Sequence, residues 1–497
     1  MKLCTQNEPD REVDERMSTV RRLFKNTTIL MLANSLQPLI SFYLVVEISE
    51  LMGAEGLGAY NTIFNYVLIF QISAAFGLRN LLTRDLAQHK EKTRRFMIDG
   101  SVIALIFSVL SLVAMSLVVQ LLSDNPVVIT GTMIASLSLI ASGLADVYEG
   151  AIRGYERLSQ IGYAWLGENL ARVLISLWLI FSGYGIIELV WVFVILRFLK
   201  AGYYFYYLSR RIVVPFGAVD WQFVRELTAQ ARVFALTLLA VTIYWRADII
   251  MLESMRSDAE AGLYSAAYRF LALSIVLIDS FVHSLFPVIS GYFHSSPEQF
   301  QKACRKSLRL LVFVTVPMSV LMSLQAGPII TMIYSPEYEP SILVLQIIIW
   351  TLVPYGISQI FAYALVASKR QNVDMLVNIT AMLANIILNF ILIPRYGFIG
   401  ATVATLISIH IYVGVQVPFV VQKIIHFGGR EVFAGGFRVG LAILATVVTV
   451  FLMRDFHWIV SSAVAGLLYL ATLFLSGAVS ANDRQLIMRI LRRPDAA

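Results

Sequence analysis

Residues 98–147 read IDGSVIALIFSVLSLVAMSLVVQLL, then SDNP, then VVITGTMIASLSLIASGLADV. At 1.5 Å per helical residue, an apolar run of about 20 residues spans the hydrocarbon core of a bilayer. The first run, 98–122, meets that length, and so does the second, 127–147. Ser123-Asp-Asn-Pro126 between them is long enough only to turn the chain back. This stretch therefore reads as a helical hairpin through a membrane.

The same pattern extends in both directions. Fourteen apolar runs are predicted as spans: 27–50, 57–80, 98–122, 127–147, 163–182, 185–208, 232–254, 262–290, 309–333, 341–368, 372–393, 398–421, 433–452 and 457–478. The first is read as a span and not a cleavable leader, because it is too long for a leader's apolar region and has no small-residue cleavage site. Composition agrees. Of 497 residues, 58% are hydrophobic and 14% charged, and mean hydropathy is +0.74. Soluble domains run at roughly 45–50% and about 25%. The net charge of +7 does not indicate nucleic acid, because the basic residues sit in short clusters between apolar runs and form no single surface. Cys4 and Cys304 lie in polar segments without Cys or His partners, so neither a disulfide nor a metal site is expected.

Charge also sets orientation. With these spans, and with Arg79, Arg232, Arg309 and Arg438 near span ends counted with the adjoining loops, 31 Lys and Arg fall on one side, three (Arg256, Arg395, Arg454) on the other, and five inside. The positive-inside rule then predicts a multi-pass protein of the cell membrane with both termini cytoplasmic. The predicted organisation is a cytoplasmic N-terminal tail (1–26), a first six-span lobe (27–208), a cytoplasmic linker (209–231), a second six-span lobe (232–423), two further spans (424–480) and a cytoplasmic tail (481–497). An internal echo supports two lobes: Gly58-Ala-Tyr60 opens the second span, and Gly262-Leu-Tyr264 opens the eighth. Paired repeats around a midplane site are a common transporter plan.

Ionised groups inside a bilayer cost about 2.5–3.5 kcal/mol each on insertion scales, so each requires a reason. Arg172, Arg197, Lys200, Arg246 and Arg269 are the five cations within spans. Counted from the cytoplasmic span ends they lie roughly 12–20 Å deep in a core of about 30 Å. A water-filled cationic cavity for an anionic substrate explains them. The alternative is internal pairing: Glu168 and Arg172, at i,i+4, are placed to neutralise one another, whereas Arg197 and Lys200 at i,i+3 repel unless an anion joins them. Asp279, Asp248 and Glu168 are the candidates for binding a coupling proton or Na⁺; helix–helix hydrogen bonding is the competing role for each. No cofactor is expected, and the absence of GxxxxGK[ST] argues against a built-in ATPase.

Several segments together resemble a known family. They are Leu51-Met-Gly-Ala-Glu-Gly-Leu-Gly-Ala-Tyr60, Phe76-Gly-Leu78 with Thr83-Arg-Asp-Leu-Ala87, and Arg246-Ala-Asp-Ile-Ile-Met-Leu252. With them go Ala261-Gly-Leu-Tyr-Ser-Ala-Ala-Tyr-Arg269, Ala367-Ser-Lys-Arg-Gln371 and Asn389-Phe-Ile-Leu-Ile-Pro-Arg-Tyr-Gly-Phe-Ile-Gly-Ala-Thr402. In this order and spacing, over about residues 25–425, the chain resembles the polysaccharide flippases of the multidrug/oligosaccharidyl-lipid/polysaccharide exporter superfamily. The resemblance implies an all-α, MATE-like fold of two six-helix lobes plus two C-terminal helices. It implies a lipid-linked anionic oligosaccharide moved between leaflets, contact with membrane lipids, and work beside polysaccharide polymerase or glycosyltransferase machinery. A lipid II-type flippase fits the charge as well. A cation-coupled multidrug exporter would prefer an acidic cavity. A membrane-embedded glycosyltransferase or polymerase would carry a large outer loop, and the outer loops here are short, so no enzymatic activity is expected.

Overall fold

The computed structural model describes residues 8–477 apart from 213–216, 369, 422–423 and 426–428. The predicted C-terminal tail lies outside the described residues. Every regular element among them is helical. The first ones are α1 (Glu8–Ala75), α2 (Leu78–Gln88), α3 (Thr93–Leu122), α4 (Pro126–Ser136), α5 (Ser138–Gly154), α6 (Leu158–Phe181), α7 (Ile186–Arg211), α8 (Trp221–Met255) and α9 (Asp258–Ser295). After these come α10 (Pro297–Leu324), α11 (Ala326–Ile333), α12 (Ser341–Ile348), α13 (Leu352–Ala367), α14 (Gln371–Val420), α15 (Gly429–Leu452) and α16 (Trp458–Leu475).

Two elements are longer than one crossing requires. Sequence places two spans in α1 and two in α14, and each helix contains one residue off the helical path, Gly53 (φ 68°) and Gly397 (φ 57°). Glycine adopts these left-handed dihedrals without the penalty a Cβ would bring. The expected connections at these points are therefore single-residue breaks. Among the described residues nine helices are long and apolar enough to cross a membrane, or ten if Ile40–Ala75 and Leu78–Leu86, bent by 42°, form one span.

The hairpin of residues 98–147 forms as its sequence indicates. Asn125 caps α4 by accepting the Val127 backbone N–H at 2.8 Å, and Pro126 occupies the first helical turn, where no amide is needed. On α3, Ile103, Ala104, Ser108, Ser111, Met115 and Val119 turn inward. Ile106, Val109, Leu110, Val113, Leu117 and Leu121 form the opposite stripe, with Leu121 82% exposed. In water such a stripe would be an aggregation surface; in lipid it is the ordinary outside of a helix.

The described residues form two compact units that divide between Gly262 and Leu263. In the first unit Leu78, Leu82, Met97, Val147, Ile152, Tyr204 and Leu208 pack one continuous core from α2, α3, α5 and α7. The two glycines of the sequence echo also meet in this unit. A Cβ on Gly58 would overlap the carbonyl of Asp258, and one on Gly262 would overlap the carbonyl of Ala54. Beside this seam Ser123 donates to Glu253, and Asn125 Nδ2 donates to Asp258 Oδ2 at 2.6 Å. In the second unit Val316, Val320, Val439, Ala442, Tyr469 and Leu473 join α10, α15 and α16.

Candidate functional site: a polar cavity in the first unit

Helical periodicity assembles the site. Trp165, Glu168, Asn169 and Arg172, at i, i+3, i+4 and i+7, lie along one face of α6. Asp146, Glu149 and Arg153 share a face of α5, and Arg197 and Lys200 share one of α7. These faces converge with Gln71 of α1 and Arg79 of α2 around a cavity of about 200 Å³.

Two ion-pair clusters border it. In one, Glu168 bridges α6 to α7: Lys200 Nζ lies 2.7 Å from Oε2 and Arg197 Nε lies 3.2 Å from Oε1. In the other, Arg79 Nη1 lies 3.4 Å from Asp146 Oδ1 and 3.7 Å from Glu149 Oε1. Glu149, with its side chain 3% exposed, also holds Arg153 Nη2 at 2.7 Å and accepts the Trp165 indole N–H at 3.1 Å. Arg172 belongs to neither cluster. Its Nη2 donates to Ser41 Oγ at 3.0 Å and to Asn169 Oδ1 at 3.2 Å, and no carboxylate among the described residues comes within ion-pair distance of it. The cavity wall carries four cations, Arg79, Arg172, Arg197 and Lys200, against three carboxylates, Asp146, Glu149 and Glu168.

The expected residues divide accordingly. Arg172, Arg197, Lys200 and Glu168 come together on the cavity wall. Glu168 pairs across to α7 instead of with Arg172, and so supplies the anion that Arg197 and Lys200 need in order to sit one turn apart. Arg246 and Asp248 lie on α8 of the same unit but not on this wall; Asp248 is buried. Arg269 and Asp279 belong to the second unit, where Asp279 Oδ1 accepts the Tyr355 hydroxyl at 2.6 Å. Sequence reading passed over Gln71, Arg79, Asp146, Glu149 and Trp165. Arg79 was counted with a cytoplasmic loop, while Asp146 and Glu149 fall at or beyond a predicted span end. The i,i+3,i+4,i+7 polar face of α6 was the signal available for Trp165.

Residues 23–293, more than half of the chain, match the family described as polysaccharide biosynthesis protein. The chain belongs to that family. Residues 234–391 also match the MatE family. The chain is 21% identical over 395 residues to the capsular polysaccharide biosynthesis protein CapF of Staphylococcus aureus, covering 78% of this chain and 96% of the relative. It is 23% identical over 393 residues to the probable flippase AglR of Haloferax volcanii, covering 74% and 76%. Among solved structures, the lipid II flippase MurJ in an inward closed conformation superposes with a TM-score of 0.76 at 18% identity, covering 93% of this chain and all of the other. The fold is that of the multidrug/oligosaccharidyl-lipid/polysaccharide exporter superfamily, and the chain is a multi-pass membrane protein.

Proposed function

We propose that this protein is a flippase that carries a lipid-linked, polyprenyl-phosphate-type oligosaccharide from the cytoplasmic to the outer leaflet by alternating access. The observation that carries the reading is Arg172, a guanidinium held by a hydroxyl and an amide in a cavity whose cations outnumber its carboxylates. Burying a phosphate in hydrocarbon without a partner is prohibitively costly, and charge-assisted hydrogen bonds from arginine offset that cost. The polyprenyl tail, apolar throughout, stays in lipid. Nothing covalent changes during transfer. Relatives named for capsular polysaccharide biosynthesis and as a probable flippase support this substrate class, and a positive excess disfavours the cationic drugs of a multidrug exporter.

The test is transfer of a lipid-linked oligosaccharide across proteoliposomes containing the full chain. Arg172→Ala is expected to lower transfer at least about tenfold, since losing one partner of a buried charged pair costs about 2–5 kcal/mol. Arg172→Lys is expected to recover part of it, because charge survives while bidentate geometry does not. Full transfer by folded Arg172→Ala would overturn the assignment of Arg172, and no transfer of any lipid-linked glycan by the parent would overturn the function.

A further inference from the structure

The seam beside Gly58 and Gly262 carries negative charge that its contacts do not balance. Glu253 and Asp258 are each only 8% exposed. One oxygen of each has a donor: Ser123 serves Glu253 Oε1, and Asn125 Nδ2 serves Asp258 Oδ2 at 2.6 Å. The other two oxygens, Glu253 Oε2 and Asp258 Oδ1, are buried with no hydrogen bond among the described residues. The neighbouring charges add to the repulsion. Asp258 and Asp124 act on Glu253, and Glu55 of α1 acts on Asp258. Tyr66 of α1 also lies within the field of Glu253. Arg256, in the connection from α8 to α9, has its Nε 2.9 Å from Glu260 Oε1.

Two ionised carboxylates brought together out of water repel, and such a pair settles when one of them takes up a proton. A metal ion or a water molecule would relieve the same cost, but neither orphaned oxygen has accessible surface on which one could sit. A proton needs no such space. The helix ends decide which carboxylate takes it. Glu253 lies in the last turn of α8, whose carbonyl end disfavours negative charge, whereas Asp258 opens α9, whose amide end favours it.

We infer that the seam is a proton-binding site: Glu253 holds a proton while Gly58 and Gly262 stay in contact, and losing that proton lets the seam part. One O–H bond forms at the Glu253 carboxylate, and one breaks in the hydronium ion that supplies the proton. On the orientation expected from the Lys/Arg asymmetry, the seam faces the outside, so acid there favours closure. The proton site stands without the flippase reading. Only its consequence rests on that reading: outside acidity would return an emptied carrier to the state closed toward the outside.

Thiol labelling of the full chain in detergent, where no ion gradient exists, tests the site. Ala54→Cys, at a buried position against Gly262, is compared with Asp455→Cys, whose native side chain is 88% exposed. Both are made with Cys4→Ser and Cys304→Ser, and the Asp455→Cys rate corrects for the pH dependence of the reagent. Relative labelling of Ala54→Cys is expected to be low at about pH 5 and at least about threefold higher at about pH 9. A one-proton linkage shifts an equilibrium by up to about tenfold per pH unit. Glu253→Gln, neutral at every pH, is expected to keep labelling low throughout. If Glu253→Gln does not fold, Asp258→Asn serves: removing the neighbouring negative charge is expected to move the rise to lower pH. The inference is overturned by equal labelling at both pH values, by labelling that falls as pH rises, by a rise that persists in Glu253→Gln, or by an unmoved rise in Asp258→Asn. A chain that flips lipid-linked glycans with a seam indifferent to pH retains the proposed function and loses this site. One whose seam responds to pH but that flips nothing retains the site and loses the function.

Discussion

The two units bury polarity by different means. The first concentrates formal charge: Glu168 with Arg197 and Lys200, and Asp146 and Glu149 with Arg79 and Arg153. The second relies mostly on amides and hydroxyls. Asn389 Nδ2 donates to Asn385 Oδ1 at 3.1 Å, Asn385 Nδ2 to Ser408 Oγ at 3.4 Å, Gln325 Nε2 to Ser461 Oγ at 3.0 Å, and Gln416 Nε2 to the Ser358 carbonyl at 3.3 Å. Neutral amides tie helices together at modest cost, which is the usual way polar groups serve in membranes. Formal charges are too expensive for that purpose alone, and they surround the cavity. On the proposed function, the contrast separates polar residues that join helices from polar residues that receive a substrate.

The sharpest way to break this contrast is to remove an anchor from each side. Glu168→Ala leaves Arg197 and Lys200 buried beside one another without their anion, and is expected to cost about 3–5 kcal/mol. Asn385→Ala removes an amide contact worth about 0.6–2 kcal/mol. Thermal unfolding of the detergent-solubilised variants compares them. Equal losses would mean that the charged cluster is helix glue like the amides.

Asp279 sharpens the comparison, as a carboxylate in the amide-rich unit bound to the Tyr355 hydroxyl. We hypothesise that it takes the coupling proton or Na⁺. Asp279→Asn is then expected to abolish stimulation of transport by an ion gradient while sparing substrate binding. Tyr355→Phe, which keeps the carboxylate, is expected to change the stimulation less. A gradient response in Asp279→Asn equal to that of the parent would make Asp279 one more structural partner.

The smallest expected effect comes from a carboxylate outside both interiors. Asp220 caps α8 by accepting the backbone N–H groups of Phe223 and Gln222, and it pairs with Arg95. The Phe223 amide foremost, with Arg95 adding to it, holds its carboxyl below the usual range. A carboxylate depressed on folding contributes stability above its unfolded value of about 3.9, and that contribution fades as pH falls through the lower folded value. Melting temperature measured as pH falls below about 4 is expected to drop slightly more in the parent than in Asp220→Asn, whose amide caps without titrating. A steeper fall in Asp220→Asn would contradict the assignment.

Much of the fold was legible because hydrophobic length and Lys/Arg asymmetry are both one-dimensional signals. The hairpin at 98–147 needed only run lengths and a four-residue turn. The breaks at Gly53 and Gly397 were legible as loops between spans, though not as single residues. For the site, rarity exposed Arg172, Arg197, Lys200 and Glu168, since ionised residues inside spans stand out. Partnership was harder. Periodicity ranks Glu168 with Arg172 on its own helix, but pairing depends on which helix packs alongside, and α7 brought two cations closer. Gln71 carries no charge and interrupts no apolar run, so nothing in the sequence distinguishes it from an ordinary span residue, and Trp165 is marked only by its place on the polar face of α6.

The seam between Gly58 and Gly262 has a consequence for how the chain can vary. Each glycine admits a carbonyl from the other helix of the echo, and the two carbonyls, Ala54 and Asp258, each stand four residues before the glycine of their own helix. The contact is therefore reciprocal, main chain against main chain, with no side chain of either glycine to interlock. A methyl group added at one position pushes on backbone that no rotamer change can move aside, and trimming the side chain of Asp258 or Ala54 makes no room, because the overlap is with their main-chain carbonyls. The two positions are thus locked as a pair: drift at either requires the helices themselves to move apart, so the three-residue echo in the sequence is the trace of a shared steric limit.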